Sequence, residues 1–257
     1  MDWQARGIGL RVGGHRGSSA SAPENTDAAF EQAVADGAQY IETDIRRTAD
    51  GHLVLLHDAT LDRTTDGHGP VAEAALADVI ALDAGSWFGD GSGARFSGER
   101  VPEFPAFIRW IEERPSIGAA LEVKAGGTGA EVASAAWASP ARDRLAIYAF
   151  DAREIQAAKS VAPDLPCVLL LYLRDDPDEV LGRIEACGAD GADVPWQWEA
   201  RALLAEMRER RLLIGGGSAT GDEAAERLLD LGADMIDTDG PAAMLAAVRE
   251  LTGSARA

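Results

Sequence analysis

Cysteine, aromatic residues and basic side chains are all scarce in this 257-residue chain, and each scarcity excludes something. Two cysteines, Cys167 and Cys187, cannot staple a domain of this size, and they lack the spacing of a zinc site. Both sit in apolar surroundings and read as small core residues of a reduced, cytoplasmic protein. Long apolar runs are absent as well. No stretch approaches the ~18 residues of a membrane span, and Met1–Leu10 lacks the charged-then-apolar order of a secretory signal. The shortage of basic residues is the most telling: 24 Lys and Arg stand against 43 Asp and Glu, a formal net charge of −19. Such a field repels polyanions and anionic lipid surfaces, so neither nucleic acid nor stable membrane association is expected. Any phosphodiester substrate would need a local cation to offset the field, and a divalent metal ion is the economical source.

What the chain does have is apolar residues, 46% of the total, arranged in a regular alternation. Strand-like runs occur at Ile8–Gly13, Gln39–Ile45, Gly118–Lys124, Arg144–Phe150, Pro166–Tyr172, Ala189–Val194, Arg211–Gly215 and Met235–Thr238. Segments with i, i+3, i+4 apolar spacing are interleaved with them: Thr26–Ala35, Phe104–Glu113, Gly129–Ala138, Ala152–Val161, Pro177–Ala186, Trp198–Arg210, Asp222–Leu231 and Ala242–Leu251. Eight such units in about 250 residues predict a single-domain α/β protein, a (β/α)₈ TIM barrel; an open doubly wound sheet is the competing arrangement. The exits Gly37-Ala38-Gln39, Gly188-Ala189-Asp190 and Gly232-Ala233-Asp234 repeat one helix-to-strand turn, with glycine where a left-handed cap is needed. One stretch breaks the rhythm. Residues 58–101 are rich in Gly, Asp, Ser and Thr, including Asp90-Gly91-Ser92-Gly93, and read as an insertion after the second strand that covers the barrel mouth. Flanking and within it, Leu53–His57 suggests an extra strand and Val71–Leu82 a short helix.

Residues at the C-terminal ends of barrel strands face the active site. Reading those ends collects His15-Arg16-Gly17, then Glu42 and Asp44 two apart on one strand face, then Glu122 and Lys124 with the same spacing, and His57-Asp58 after the extra strand. Three carboxylates without a nearby cysteine make a hard, all-oxygen set suited to Mg²⁺, Ca²⁺ or Mn²⁺. Two imidazoles can share acid and base duties near neutral pH. Trp87, Phe88, Phe150 and Trp196 are candidates for an apolar wall, and Pro23-Glu24-Asn25-Thr26 for the start of a helix.

In order and spacing, His15-Arg16-Gly17, Pro23-Glu24-Asn25-Thr26, Glu42-Thr43-Asp44, His57-Asp58, Leu61-Asp62-Arg63-Thr64-Thr65, Ala84-Gly85-Ser86-Trp87-Phe88 and Glu122-Val123-Lys124 resemble the glycerophosphodiester phosphodiesterase family. The closing Gly232-Ala233-Asp234, Thr238-Asp239 and Pro241 do so too, and the similarity runs from about Val12 to Pro241. The resemblance implies a TIM barrel that cleaves glycerophosphodiesters to sn-glycerol 3-phosphate and an alcohol with a bound Mg²⁺ or Ca²⁺. It implies Glu42, Asp44 and Glu122 as metal ligands, His15 and His57 as the acid–base pair, and Arg16 and Lys124 as phosphate contacts. The chain departs from the family at the seventh strand, where Leu213-Ile214-Gly215-Gly216-Gly217-Ser218-Ala219 replaces a Trp-Thr-x-Asn-type motif. Glycines there leave room and allow close backbone approach to a ligand, a phosphate among the possibilities. A lyase that releases a cyclic phosphate, and a non-catalytic barrel that binds a phosphorylated ligand, are the competing functional readings. Head group, metal identity and oligomeric state are not set by the sequence.

Overall fold

The structure is a computed structural model that describes Trp3 and residues 9–89 and 95–254. Ile8, where the first strand was expected to begin, and Asp90-Gly91-Ser92-Gly93 lie outside the described residues.

In chain order the strands are β1 Arg11–His15, β2 Tyr40–Arg47, β3 Leu53–Leu55, β4 Gly118–Val123, β5 Leu145–Ala149, β6 Cys167–Leu170, β7 Gly191–Asp193, β8 Leu213–Ser218 and β9 Met235–Thr238. All but β3 pair in parallel, and β1 bonds to both β2 and β9, which closes an eight-stranded TIM barrel. Closure removes the open doubly wound sheet from consideration. β3 runs antiparallel on the outer side of β2, Ile45 opposite Leu55, and carries the chain toward His57.

The helices are α1 Asp27–Ala35, α2 Leu76–Val79, α3 Phe104–Glu112, α4 Gly129–Ala138, α5 Ala152–Val161, α6 Val180–Cys187, α7 Arg201–Glu209, α8 Asp222–Leu231 and α9 Pro241–Ser254. Their apolar stripes face the barrel. In α3 the buried residues Phe104, Phe107, Ile108 and Ile111 follow the i, i+3, i+4, i+7 spacing. The three glycine exits form one recurring turn: the amides of Ala38, Ala189 and Ala233 donate to Ala33, Ile184 and Leu228, five residues back, while Gly37, Gly188 and Gly232 take φ of 87°, 72° and 62°. The expected helix from Pro177 is a 3₁₀ turn, Pro177–Glu179, followed by α6, and the expected helix over 71–82 shrinks to a 3₁₀ turn and α2. The insertion gathers a small apolar cluster of its own around Leu61, Val71, Val79, Ala84 and Val101, joined to β3 through Val54.

Inside the barrel, alternate strand residues form the core between the helix-side shell and the mouth. Trp3, Tyr40, Tyr148, Val168, Leu213 and Met235 pack there, with Trp3 edge-on to Tyr40 at 5.0 Å and donating Nε1–H to the Arg144 carbonyl at 2.9 Å. β1 makes room for Tyr40 by presenting Gly13, where an added Cβ would stand 2.2 Å from the ring. Among the described residues no helix is long and apolar enough to cross a membrane. Gly13→Ala should therefore lower stability by about 1–3 kcal/mol through overpacking, read as a reduced urea midpoint at unchanged m-value; an unchanged midpoint would contradict this packing.

Candidate active site

Barrel register assembles the site. β2 turns Glu42 and Asp44 inward, Glu42 opposite His15 on β1 and Asp44 opposite Glu122 on β4. Carboxylate oxygens of Glu42, Asp44 and Glu122 lie within 4.8 Å of one another, and the residues are 2%, 0% and 7% exposed. One oxygen of each, Glu42 Oε1, Asp44 Oδ1 and Glu122 Oε1, has no hydrogen-bond partner. Lys124 Nζ stands 2.6 Å from Glu122 Oε1 and 3.3 Å from Asp44 Oδ1, near enough to pair electrostatically though not aligned as a hydrogen bond. Burial and the charges of Asp44 and Glu122 push the Glu42 carboxyl well above its ordinary range. Burial and Asp44 raise Glu122 to about 7. Burial acts in the same direction on Asp44, but Lys124, Arg16, His57 and the Asn25 hydrogen bond outweigh it and hold that carboxyl low. Three buried acids with inward-facing orphan oxygens fit a hard divalent cation.

The surrounding loops fix these acids through backbone held in the left-handed region. Arg16 has φ 58° and donates its amide to Glu42 Oε2 at 2.9 Å, while its guanidinium reaches Glu24 at 2.8 Å and Asp44 at 3.2 Å. Asn25 has φ 56°; its Nδ2 donates to Asp44 Oδ2 at 2.8 Å and its Oδ1 accepts from Thr43 Oγ1 at 2.7 Å. Thr26 caps α1, the role its position suggested. Glu24 and Asn25 do more than begin a helix, because they orient Arg16 and Asp44. Two such backbone conformations side by side mark a functional segment.

Each histidine is locked at Nδ1. His15 Nδ1 lies 2.7 Å from Asp239 Oδ1, and His57 Nδ1 lies 2.6 Å from Asp58 Oδ1. Arg63 ties Asp58 to Glu24 at 2.7 Å each, and Arg46 holds the His57 carbonyl at 2.8 Å. With Nδ1 engaged, Nε2 is the nitrogen left for chemistry on either ring. Burial lowers the His57 pKa from its ordinary value, partly opposed by Asp44.

His15, Arg16, Glu42, His57, Glu122 and Lys124 line one cavity of about 320 Å³, which Asp44 adjoins through the carboxylate cluster. The structure thus brings all seven sequence candidates together. Phe150 and Trp196 line the cavity as expected. Trp87 and Phe88 do not: they pack on each other at 5.6 Å, and Phe88 on Phe96, inside the insertion. Two lining residues escaped the sequence reading, Asp193 and Asp237, although each lies on the inward face of its strand. Burial and Asp237 drive the Asp193 carboxyl well up, and burial raises Asp237 to about 6. The amide of Gly217 is directed to Asp193, and Gly216 packs outward against Leu228.

The sequence pattern of the glycerophosphoryl diester phosphodiesterase family matches residues 15–242. The chain belongs to that family. It is 32% identical over 243 residues to the glycerophosphodiester phosphodiesterase of Caldanaerobacter subterraneus subsp. tengcongensis, covering 92% of this chain and 96% of that one. The glycerophosphodiester phosphodiesterase from Agrobacterium tumefaciens superposes with a TM-score of 0.80 at 30% identity, over 93% of this chain and all of the other (100%). A phosphodiesterase of Oleispira antarctica, solved with the product sn-glycerol-3-phosphate, superposes with a TM-score of 0.83 at 26% identity, over 93% and 96% of the two chains. As a member of this family the chain is an enzyme, a phosphodiesterase.

The raised acids make metal-free stability depend on pH. Glu122 binds a proton more tightly folded (about 7) than unfolded (4.5), so its stabilising contribution is complete below the unfolded value and lost as pH rises through about 7. Glu42, Asp193 and Asp237 act in the same sense; His57 opposes them near neutral pH, while Asp44, Glu24 and Asp239, whose values are lowered, oppose them only at more acid pH. In EDTA the thermal midpoint should be higher at about pH 5.5 than at about pH 7.5, and added Mg²⁺ or Ca²⁺ should raise the value at the higher pH. A midpoint that climbs with pH in EDTA would contradict this electrostatic balance.

Proposed function

We propose that this enzyme hydrolyses small glycerophosphodiesters to sn-glycerol 3-phosphate and an alcohol, with His15 and His57 as acid–base pair and Mg²⁺ or Ca²⁺ held by Glu42, Asp44 and Glu122. The observation that carries the reading is the convergence of two Nδ1-locked imidazoles on the cavity that the three buried carboxylates border. When bound, the ion supplies Lewis-acid polarisation of the phosphoryl oxygens and orients the diester. Arg16 and Lys124 face the same space and neutralise the non-bridging oxygens. His57, kept neutral by burial, takes the proton of the attacking oxygen through Nε2, and Asp58 and Arg63 keep its ring in place. His15, oriented by Asp239, delivers a proton to the departing alkoxide. The linear product in the Oleispira antarctica phosphodiesterase favours hydrolysis over a lyase that stops at a cyclic phosphate.

In this reading the chain acts as one domain, and the segment from about 58 to 101 covers the mouth, tied down by Asp58, by Arg63 and by Glu99 on the Ala28 amide. The buried thiols of Cys167 and Cys187 suit a cytoplasmic setting. His15→Ala and His57→Ala should each lower kcat on glycerophosphoglycerol by about 10²–10⁴-fold with little change in metal affinity. EDTA should abolish turnover. Equal turnover by wild type and both variants, or full activity in EDTA, would overturn the assignment.

A further inference from the structure

The metal cluster accounts for one side of the cavity only. Asp193 and Asp237 stand on its β7–β9 side, each 5% exposed. Neither forms an ion pair with a lysine or arginine among the described residues, and Asp237 Oδ1 lacks any hydrogen-bond partner. Tyr40, fully buried, brings its hydroxyl beside Asp237, yet that oxygen too is without a partner of hydrogen-bond geometry. β8 runs between the two acids and presents glycine there. A Cβ at Gly215 would lie 2.8 Å from Asp193 Oδ2, and one at Gly217, whose φ is +69°, would lie 3.4 Å from Oδ1. Asp193 fills the space that a side chain at Gly215 would need, and both acids line the cavity together with Gly217.

Charge accounting says what the two acids are for. The charge of Glu42, Asp44 and Glu122 is met by Lys124, by Arg16, which is shared with Glu24, and by a divalent ion when one is bound. Nothing in that balance serves Asp193 and Asp237. Leaving buried carboxylates unpaired is costly, so a complementary ligand should bring positive charge and N–H donors. The opposite wall does not compete for such a group. Phe150 and Tyr172 stack at 4.2 Å, but Lys124 lies 5.6 Å over the first ring and Arg174 4.0 Å over the second, so that wall repels cations.

We propose that Asp193 and Asp237, with Gly217 beside them on the cavity wall, form the subsite for a primary-ammonium arm of the diester, as in an ethanolamine ester. The proposal rests on the phosphodiesterase reading above. A primary ammonium offers three donors to the two carboxyl groups, the unpartnered Asp237 Oδ1 among them; a trimethylammonium offers none, and a hydroxyl brings no charge. The test is kcat/KM for glycerophosphoethanolamine, glycerophosphocholine and glycerophosphoglycerol, measured on wild type and on the isosteric variants Asp193→Asn and Asp237→Asn. Wild type should prefer the ethanolamine ester by about tenfold or more over the other two, and each variant should erase most of that preference, chiefly through KM. Equal use of the three esters by wild type overturns the subsite without needing the variants, as does a parallel fall on all three in the variants. Turnover of none of them by wild type sinks the phosphodiesterase reading itself, and this inference with it.

Discussion

The site is organised by one electrostatic problem, which is the burial of Glu42, Asp44 and Glu122 within 4.8 Å of one another inside a closed barrel. Like charges so placed repel, and removal from water penalises each of them further. Lys124 and Arg16 compensate in part, and Glu42 and Glu122 still show the strain as raised pKa values. A divalent cation would offset the remainder, and the three buried acids, each with an oxygen lacking a hydrogen-bond partner, have the chemistry to hold one. Such an ion would give a strongly acidic protein a positive point at which a phosphodiester anion settles.

The scaffold serves that arrangement at several levels. Barrel register sets the height of the acids, so that Asp44 meets Glu122 across β2 and β4. Left-handed backbone at Arg16 and Asn25 turns an amide onto Glu42 and a carboxamide onto Asp44. Arg63 links Glu24 to Asp58, coupling the loop that carries His57 to the segment that supports the three buried acids. Damage to Arg63 would thus be felt at both His57 and the carboxylate cluster, although Arg63 does not line the cavity.

Much of this was legible before the structure. Helical periodicity and the repeated Gly-Ala exits indicated the barrel, because a backbone turn that needs glycine at one position leaves a mark in the sequence. The i, i+2 spacing of Glu42 with Asp44 and of Glu122 with Lys124 indicated shared strand faces, since side chains alternate along a strand. Two things were hidden for physical reasons. The roles of Glu24, Asn25 and Arg63 depend on which loop folds over which strand, a long-range property that no local pattern encodes. Asp193 and Asp237 sit 44 residues apart and reach one cavity only because β7 and β9 flank β8, whose Gly215 leaves space for Asp193. The departure at Gly215-Gly216-Gly217 was visible in the sequence, but its consequence was not: Gly215 and Gly217 make room for Asp193, and Gly216 for Leu228.

The central claim is that the three acids form a single cation site per chain. Calorimetric titration of Mn²⁺ into EDTA-treated protein tests it most directly, with wild type compared against Glu42→Gln and Glu122→Gln. The account predicts one site per wild-type chain, proton release on binding near neutral pH, and a loss of affinity of about 10-fold or more in either variant. Undiminished binding in both variants, or no saturable site in wild type, would contradict it.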